Sequence, residues 1–152
     1  MKIRKAIKSD FEKYLKLKRE EEVDYFRIIK QKSKKIPEKE YCKEFLDLIN
    51  KRDNFLFIAE ENKELLGVIN GRIIKYGVLR WAEIDILYVL KKFRKKGVGK
   101  ELINKSQKYA REKKCKKIKL EVNKNNKNAL RTYEKEGFFI SKYKMEKRLR
   151  WK

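Results

Sequence analysis

The chain has 152 residues, which predicts one domain spanning residues 1–152 with room for a substantial core. It carries 45 Lys and Arg against 22 Asp and Glu, a formal net charge of +23. Two cysteines and no histidine exclude a disulfide framework, a zinc cluster and any mechanism that needs a histidine base.

In chain order, Met1 to Ile7 alternates like a strand and lacks the apolar core of a signal peptide. Ser9-Asp10 is an N-cap signal for a helix through Phe11, Tyr14, Leu15 and Leu17 to about Lys32. Lys34-Lys35-Ile36-Pro37 breaks it, and a second helix carries Tyr41, Phe45, Leu46, Leu48 and Ile49. Cys42 in that helix reads as a partly buried thiol rather than a nucleophile. Strands follow at Asn54 to Glu60, Leu65 to Ile74 and Trp81 to Val89. A helix from about Val98 to Lys113 leads to a strand at Ile118 to Val122. Asn126 caps a helix through Ala129, Leu130 and Tyr133 that ends at Gly137, and Phe138 to Leu149 is expected to close the sheet.

The order is β-α-α-β-β-β-α-β-α-β. A meander followed by β-α-β crossovers predicts an α/β fold. The expected sheet is mixed (α+β in its meander), with six to seven strands and helices on both faces. No run of about 18 apolar residues occurs, so no membrane partner and a cytoplasmic location are expected. The positive charge is spread along the chain, and lysine outnumbers arginine about three to one. Base and phosphate readers favour arginine's planar fork, so weak nucleic-acid or ribosome association is expected at most.

The segment Arg94-Lys95-Lys96-Gly97-Val98-Gly99-Lys100 lies between a strand and a helix. The first N–H groups of a helix lack internal partners, and the helix dipole adds partial positive charge there. Glycines let backbone approach an anion, and flanking lysines add charge. The stretch is neither a Walker loop nor a dinucleotide fingerprint. It suits a phosphorylated cofactor.

The element order, the strand end Leu87-Tyr88-Val89, the loop Arg94 to Lys100, and Asn126…Ala129…Tyr133…Gly137-Phe138 together resemble the GNAT superfamily of acetyl-CoA-dependent N-acetyltransferases. The resemblance covers nearly the whole chain. It implies a single-domain N-acetyltransferase that uses acetyl-CoA as co-substrate, needs no metal, and transfers acetyl to a primary amine by direct attack in a ternary complex. Backbone groups of Leu87, Tyr88 and Val89 would hold the pantetheine arm. Amides of Lys95 to Lys100 would hold the pyrophosphate, and Lys92, Lys95, Lys96 or Lys127 could reach the 3′-phosphate. Asn126 matches the asparagine that bonds the cofactor arm, besides capping its helix. Tyr133 matches the tyrosine near the thioester sulfur, a general acid.

Three carboxylates compete as base. Glu83 resembles the strand glutamate of histone acetyltransferases, Asp85 the acidic position of aminoglycoside 6′-N-acetyltransferases, and Glu121 the glutamate of ribosomal-protein alanine acetyltransferases. A salt-bridge role is the alternative for each. Alternation places Glu83 and Asp85 on one face with Leu87 unless a bulge intervenes. Many family members carry proline where Lys91 stands, which implies a looser loop here. The acceptor stays open between a protein N-terminus or lysine and a small amine such as an aminoglycoside or polyamine. The assembly stays open between monomer and homodimer. The alternative function is a non-catalytic acyl-CoA sensor or an RNA- or ribosome-binding protein on the same fold.

Overall fold

The structure, a computed structural model, describes residues 1–33 and 35–150. Lys34, part of the expected helix break, lies outside the described residues. Strand β1 (Lys2–Lys5) leads to helices α1 (Phe11–Ile28) and α2 (Glu38–Asn50). Strands β2 (Asn54–Glu61), β3 (Glu64–Tyr76) and β4 (Leu79–Val89) follow. Helix α3 (Val98–Glu112), strand β5 (Ile118–Leu120) and helix α4 (Lys127–Lys135) complete the order.

The described residues form a mixed five-stranded sheet in the order β1-β2-β3-β4-β5. The meander from β1 to β4 is antiparallel, and the α3 crossover makes β5 parallel to β4. Helix α3 buries Val98, Leu102, Ile103, Tyr109 and Ala110 against Phe55, Phe57, Ile69 and Ile84 on one face. On the other face, α1 and α2 bury Tyr14, Leu17, Phe45 and Leu48 against Leu56, Ile58, Val68 and Tyr88. Spacings of three and four residues align each helix's apolar side chains, and strand alternation feeds both cores from the same strands.

Three boundaries differ from the sequence reading. Helix α1 stops at Ile28 because Lys30 takes a left-handed conformation, φ +55°. Asp10 does not cap α1 through its side chain. Its carboxylate instead accepts the Ile7 N–H at 2.8 Å and both terminal nitrogens of Arg4 at 2.8 and 2.9 Å.

The third difference is larger. The sheet has five strands, not six or seven, because residues 138–150 pair with no strand among the described residues. The β4–β5 ladder covers only Ala82 to Ile84 against Ile118 to Leu120, so β5 offers an edge too short for a long closing strand. In the final segment Lys144 Nζ lies 3.6 Å from Glu121 Oε2, and Phe139, Tyr143 and Met145 are exposed.

Register slips between Asn70 and Gly71, so Asp85 is an extra residue in β4. Glycine is required here, because a Cβ on Gly71 would sit 2.0 Å from the Glu83 carbonyl oxygen and 2.8 Å from the Phe55 ring. Gly71→Ala is expected to cost about 3 kcal/mol through backbone displacement, read as a lowered denaturant midpoint. A midpoint within error of wild type would show that the two strands can separate there freely.

The Arg4–Asp10 pair predicts acid sensitivity. The Arg4 hydrogen bonds hold the Asp10 carboxyl below the usual carboxylate range, against the opposing effect of burial. A depressed carboxyl contributes stability above its unfolded value and loses it as pH falls through the folded one. Asp10→Asn should therefore cost about 2 kcal/mol at neutral pH and flatten the stability loss below about pH 4. Unfolding curves across pH 2–7 check both signs.

Candidate active site

The last four residues of β4 have a partner on one side only. The parallel ladder to β5 stops at Ile84↔Leu120. Beyond it, β4 continues on β3 alone, with Leu87, Tyr88 and Val89 paired to Ile69, Val68 and Gly67. The Leu90 N–H donates to the Leu66 carbonyl at 3.0 Å. Antiparallel alternation then turns Ile86, Tyr88 and Leu90 towards β3, and turns the backbone groups of Leu87 and Val89 to the open side. An extended amide-bearing chain could add there as a strand.

The open edge runs into the glycine loop. Lys91–Phe93 forms a short 3-10 turn, and α3 begins at Val98 behind Gly97. Gly97 holds φ +80° and Lys95 holds φ +62°. Left-handed residues just before a helix turn successive N–H groups to one side, which makes an anion-binding concavity at the positive end of α3. Gly99 faces Val89, with 3.8 Å between its ideal Cβ position and Val89 Cγ2, so loop and strand end adjoin.

Arg94 does more than add charge. Its Nε donates to the Val89 carbonyl at 2.9 Å, occupying one of the open-side acceptors. Its NH2 donates to Asp24 Oδ2 of α1 at 3.0 Å, and its guanidinium lies 5.1 Å from the centre of the Tyr88 ring. Asp24 also accepts the Tyr88 hydroxyl at 2.8 Å and pairs with Lys91 Nζ at 3.0 Å. Burial opposes ionisation of Asp24, but hydrogen bonds from Lys91, Tyr88 and Arg94 outweigh it and hold the carboxyl below its ordinary value. The Lys91 N–H donates to Glu20 Oε1 at 3.3 Å, a bond that proline could not make. The loop is thus fastened to α1 at Lys91, not loosened there. Sequence reasoning missed Glu20 and Asp24. Their i, i+4 spacing was the available signal, but nothing local said which element they faced.

Glu83 and Asp85 share Arg72, at 3.6 Å from its Nε and 3.4 Å from its NH2. Glu83 also accepts the Trp81 indole N–H at 2.9 Å. Burial pushes the Asp85 carboxyl up, with Arg72 opposing. Glu121 is exposed and paired with Lys144. The bulge has a further effect: Leu87 belongs to the α3-side core, opposite the α1–α2 side that Asp85 faces together with Glu44.

Tyr133 packs against the same α3-side core as Leu87 and Val89. Its ring meets Phe138 edge-on at 5.6 Å. Burial alone raises its phenol to about 12, so the hydroxyl stays protonated at neutral pH. Asn126 caps α4, its Oδ1 accepting the Ala129 N–H at 3.1 Å. Next to it, Asn125 Nδ2 reaches the Ile28 carbonyl at 3.4 Å, linking the start of α4 to the end of α1.

Comparison with known proteins agrees with this architecture. The family model described as "Acetyltransferase (GNAT) family" matches residues 15–138, and the chain belongs to that family. Members use acetyl-CoA as acyl donor. Among solved structures, a transcriptional regulator from Bacillus halodurans superposes with TM-score 0.82 at 24% identity, covering 97% of this chain and 99% of that one. An aminoglycoside acetyltransferase from an uncultured soil metagenomic sample, crystallised with sisomicin, gives TM-score 0.75 at 20% identity over 99% and 96% of the two chains. An aminoglycoside antibiotic 6′-N-acetyltransferase from Acinetobacter haemolyticus gives 0.78 at 15% identity over all of both chains. These likenesses concern the fold. No curated protein matches the chain significantly. Among the described residues, no helix is long and apolar enough to cross a membrane.

Proposed function

We propose that the protein is an N-acetyltransferase that moves acetyl from acetyl-CoA to a primary amine by direct attack, both substrates being bound together. The observation that carries this reading is the continuity of the open β4 edge at Leu87 and Val89 with the left-handed loop and α3 N-terminus. The residues present fit the cofactor: backbone amides for an extended arm, N–H groups and lysines for its phosphates. When bound, acetyl-CoA supplies an activated acyl group as a thioester.

The chain's own residues supply the rest. The backbone N–H groups on the open side of Leu87 and Val89 orient the arm, and one of them polarises the acyl oxygen. Arg94 leaves the Val89 carbonyl, freeing that acceptor, and turns towards the phosphates with Lys95, Lys96 and Lys100. Asn126 holds the α4 start in place beside the arm. Tyr133, kept protonated by burial, gives its proton to the departing sulfur. Asp85 is the stronger candidate to take the amine's proton, because its raised carboxyl lies nearer neutrality than an exposed one. Glu83 shares Arg72 with it and holds that arginine. Glu121 is exposed and pairs with Lys144.

Thiol release from acetyl-CoA with a panel of primary amines tests the reading. Release that saturates in both substrates and yields an amide product supports it. Release no faster than hydrolysis with every amine overturns it.

A further inference from the structure

We propose that Asp24 is a positioning residue for the cofactor: it holds Arg94 over the open β4 edge in the free protein and yields it to the incoming phosphates. This rests on the acetyl-CoA reading and adds how the site is kept closed and how it opens. The edge that defines the site is not bare. Arg94 Nε donates to the Val89 carbonyl at 2.9 Å, the acceptor that the amide N–H of an added arm would use. Val89 lies opposite Gly67 on β3, and the next N–H, that of Leu90, donates to Leu66, so the Val89 backbone groups point to the open side. Helix α1 fixes Arg94 in that place. Its NH2 donates to Asp24 Oδ2 at 3.0 Å, and its guanidinium lies 5.1 Å from the centre of the Tyr88 ring.

Asp24 has more donors than it needs. Lys91 Nζ at 3.0 Å and Arg27 NH1 at 3.1 Å reach its Oδ1, and the Tyr88 hydroxyl reaches Oδ2 at 2.8 Å. The Asp24 side chain is 13% exposed, against 42% for Arg94. An enclosed carboxylate with a single cation would be stranded when that cation left. Here two cations and a buried phenol stay behind, and Lys91 is held independently by its N–H on Glu20 Oε1 at 3.3 Å. Arg94 is therefore the partner that can leave. The exchange balances bond for bond. A phosphate oxygen replaces the Asp24 carboxylate on the guanidinium, and an arm amide N–H replaces Nε on the Val89 carbonyl. Arg94 opens the loop in which Lys95 and Gly97 turn left-handed ahead of α3, so the anion it would meet is held by its own loop. Such a latch lowers affinity, because only molecules with Arg94 free are competent to bind. Neutralising Asp24 should then tighten the cofactor, the reverse of losing a brace.

Calorimetric titration of the full chain with CoA at one fixed, high ionic strength, run as a double-mutant cycle, tests this without any transfer step. Asp24→Asn is expected to tighten CoA about fivefold, and Arg94→Ala to weaken it about tenfold. In the Arg94→Ala background, Asp24→Asn should change the affinity by less than about twofold. A bracing role for Asp24 would weaken binding in both backgrounds, and a general charge effect would strengthen it in both; either result overturns the proposal. If circular dichroism shows that Asp24→Asn does not fold, the Arg94 side-chain N–H resonance of the wild-type chain decides, assigned by its absence in Arg94→Lys. It must be protected from solvent exchange in the free chain and must shift when CoA is added. A signal that is unprotected, or unmoved by bound CoA, overturns the latch and leaves the acetyltransferase reading standing. If CoA does not bind the wild-type chain saturably, that reading falls, and a protected Arg94 signal then marks a static tie, not a latch.

Discussion

Tyr133→Phe is expected to lower kcat about a hundredfold while leaving acetyl-CoA affinity within about twofold, the scale of a lost general acid. Phenylalanine keeps the edge-on contact with Phe138 and the packing near Leu87 and Val89. Burial raises the Tyr133 phenol, and among the described residues its hydroxyl makes no side-chain hydrogen bond. Removing it therefore strands no partner, and stability should change by less than about 0.5 kcal/mol. A thermal melt and a substrate-saturation curve separate the two effects. Turnover equal to wild type would mean that Tyr133 is a packing residue and that water protonates the leaving sulfur.

Gly97→Glu is expected to weaken acetyl-CoA binding about a hundredfold, and Gly97→Ala by less than about tenfold, because charge at the phosphate site outweighs backbone strain. At φ +80° any side chain is strained, although nothing within 4 Å of the added Cβ would clash. Alanine isolates that strain. Glutamate adds a negative charge where α3 presents its unpaired N–H groups, and competes for them with the pyrophosphate. The two variants titrated in parallel give the comparison. Equal, small losses for both would place the phosphates elsewhere.

Most of the scaffold was legible because periodicity is local. The meander, the parallel crossover through α3 and the Asn126 cap all follow from runs of a few residues. The glycine loop was legible for the same reason, since strand, glycines and helix start are contiguous. The closing strand was misread because alternation at Phe139, Tyr143, Met145 and Leu149 reports a strand-like segment, not a ladder to join. The bulge at Asn70–Gly71 separated Leu87 from the face of Asp85, and its only sequence trace was a glycine within a strand. Asp24 and Arg94 lie 70 positions apart, and Arg72 meets Asp85 only because β3 and β4 pair. A single sequence carries periodicity but not the identity of such partners.

A cofactor site at the open β4 edge and the α3 loop is what the proposed activity requires. Its most direct test is calorimetric titration with acetyl-CoA and free CoA at low and high salt, since a chain of net charge +23 attracts any polyphosphate without a site. The expected result is saturable one-to-one binding that persists at high salt, with the acetyl group altering the affinity. Binding that disappears with salt or never saturates would contradict it.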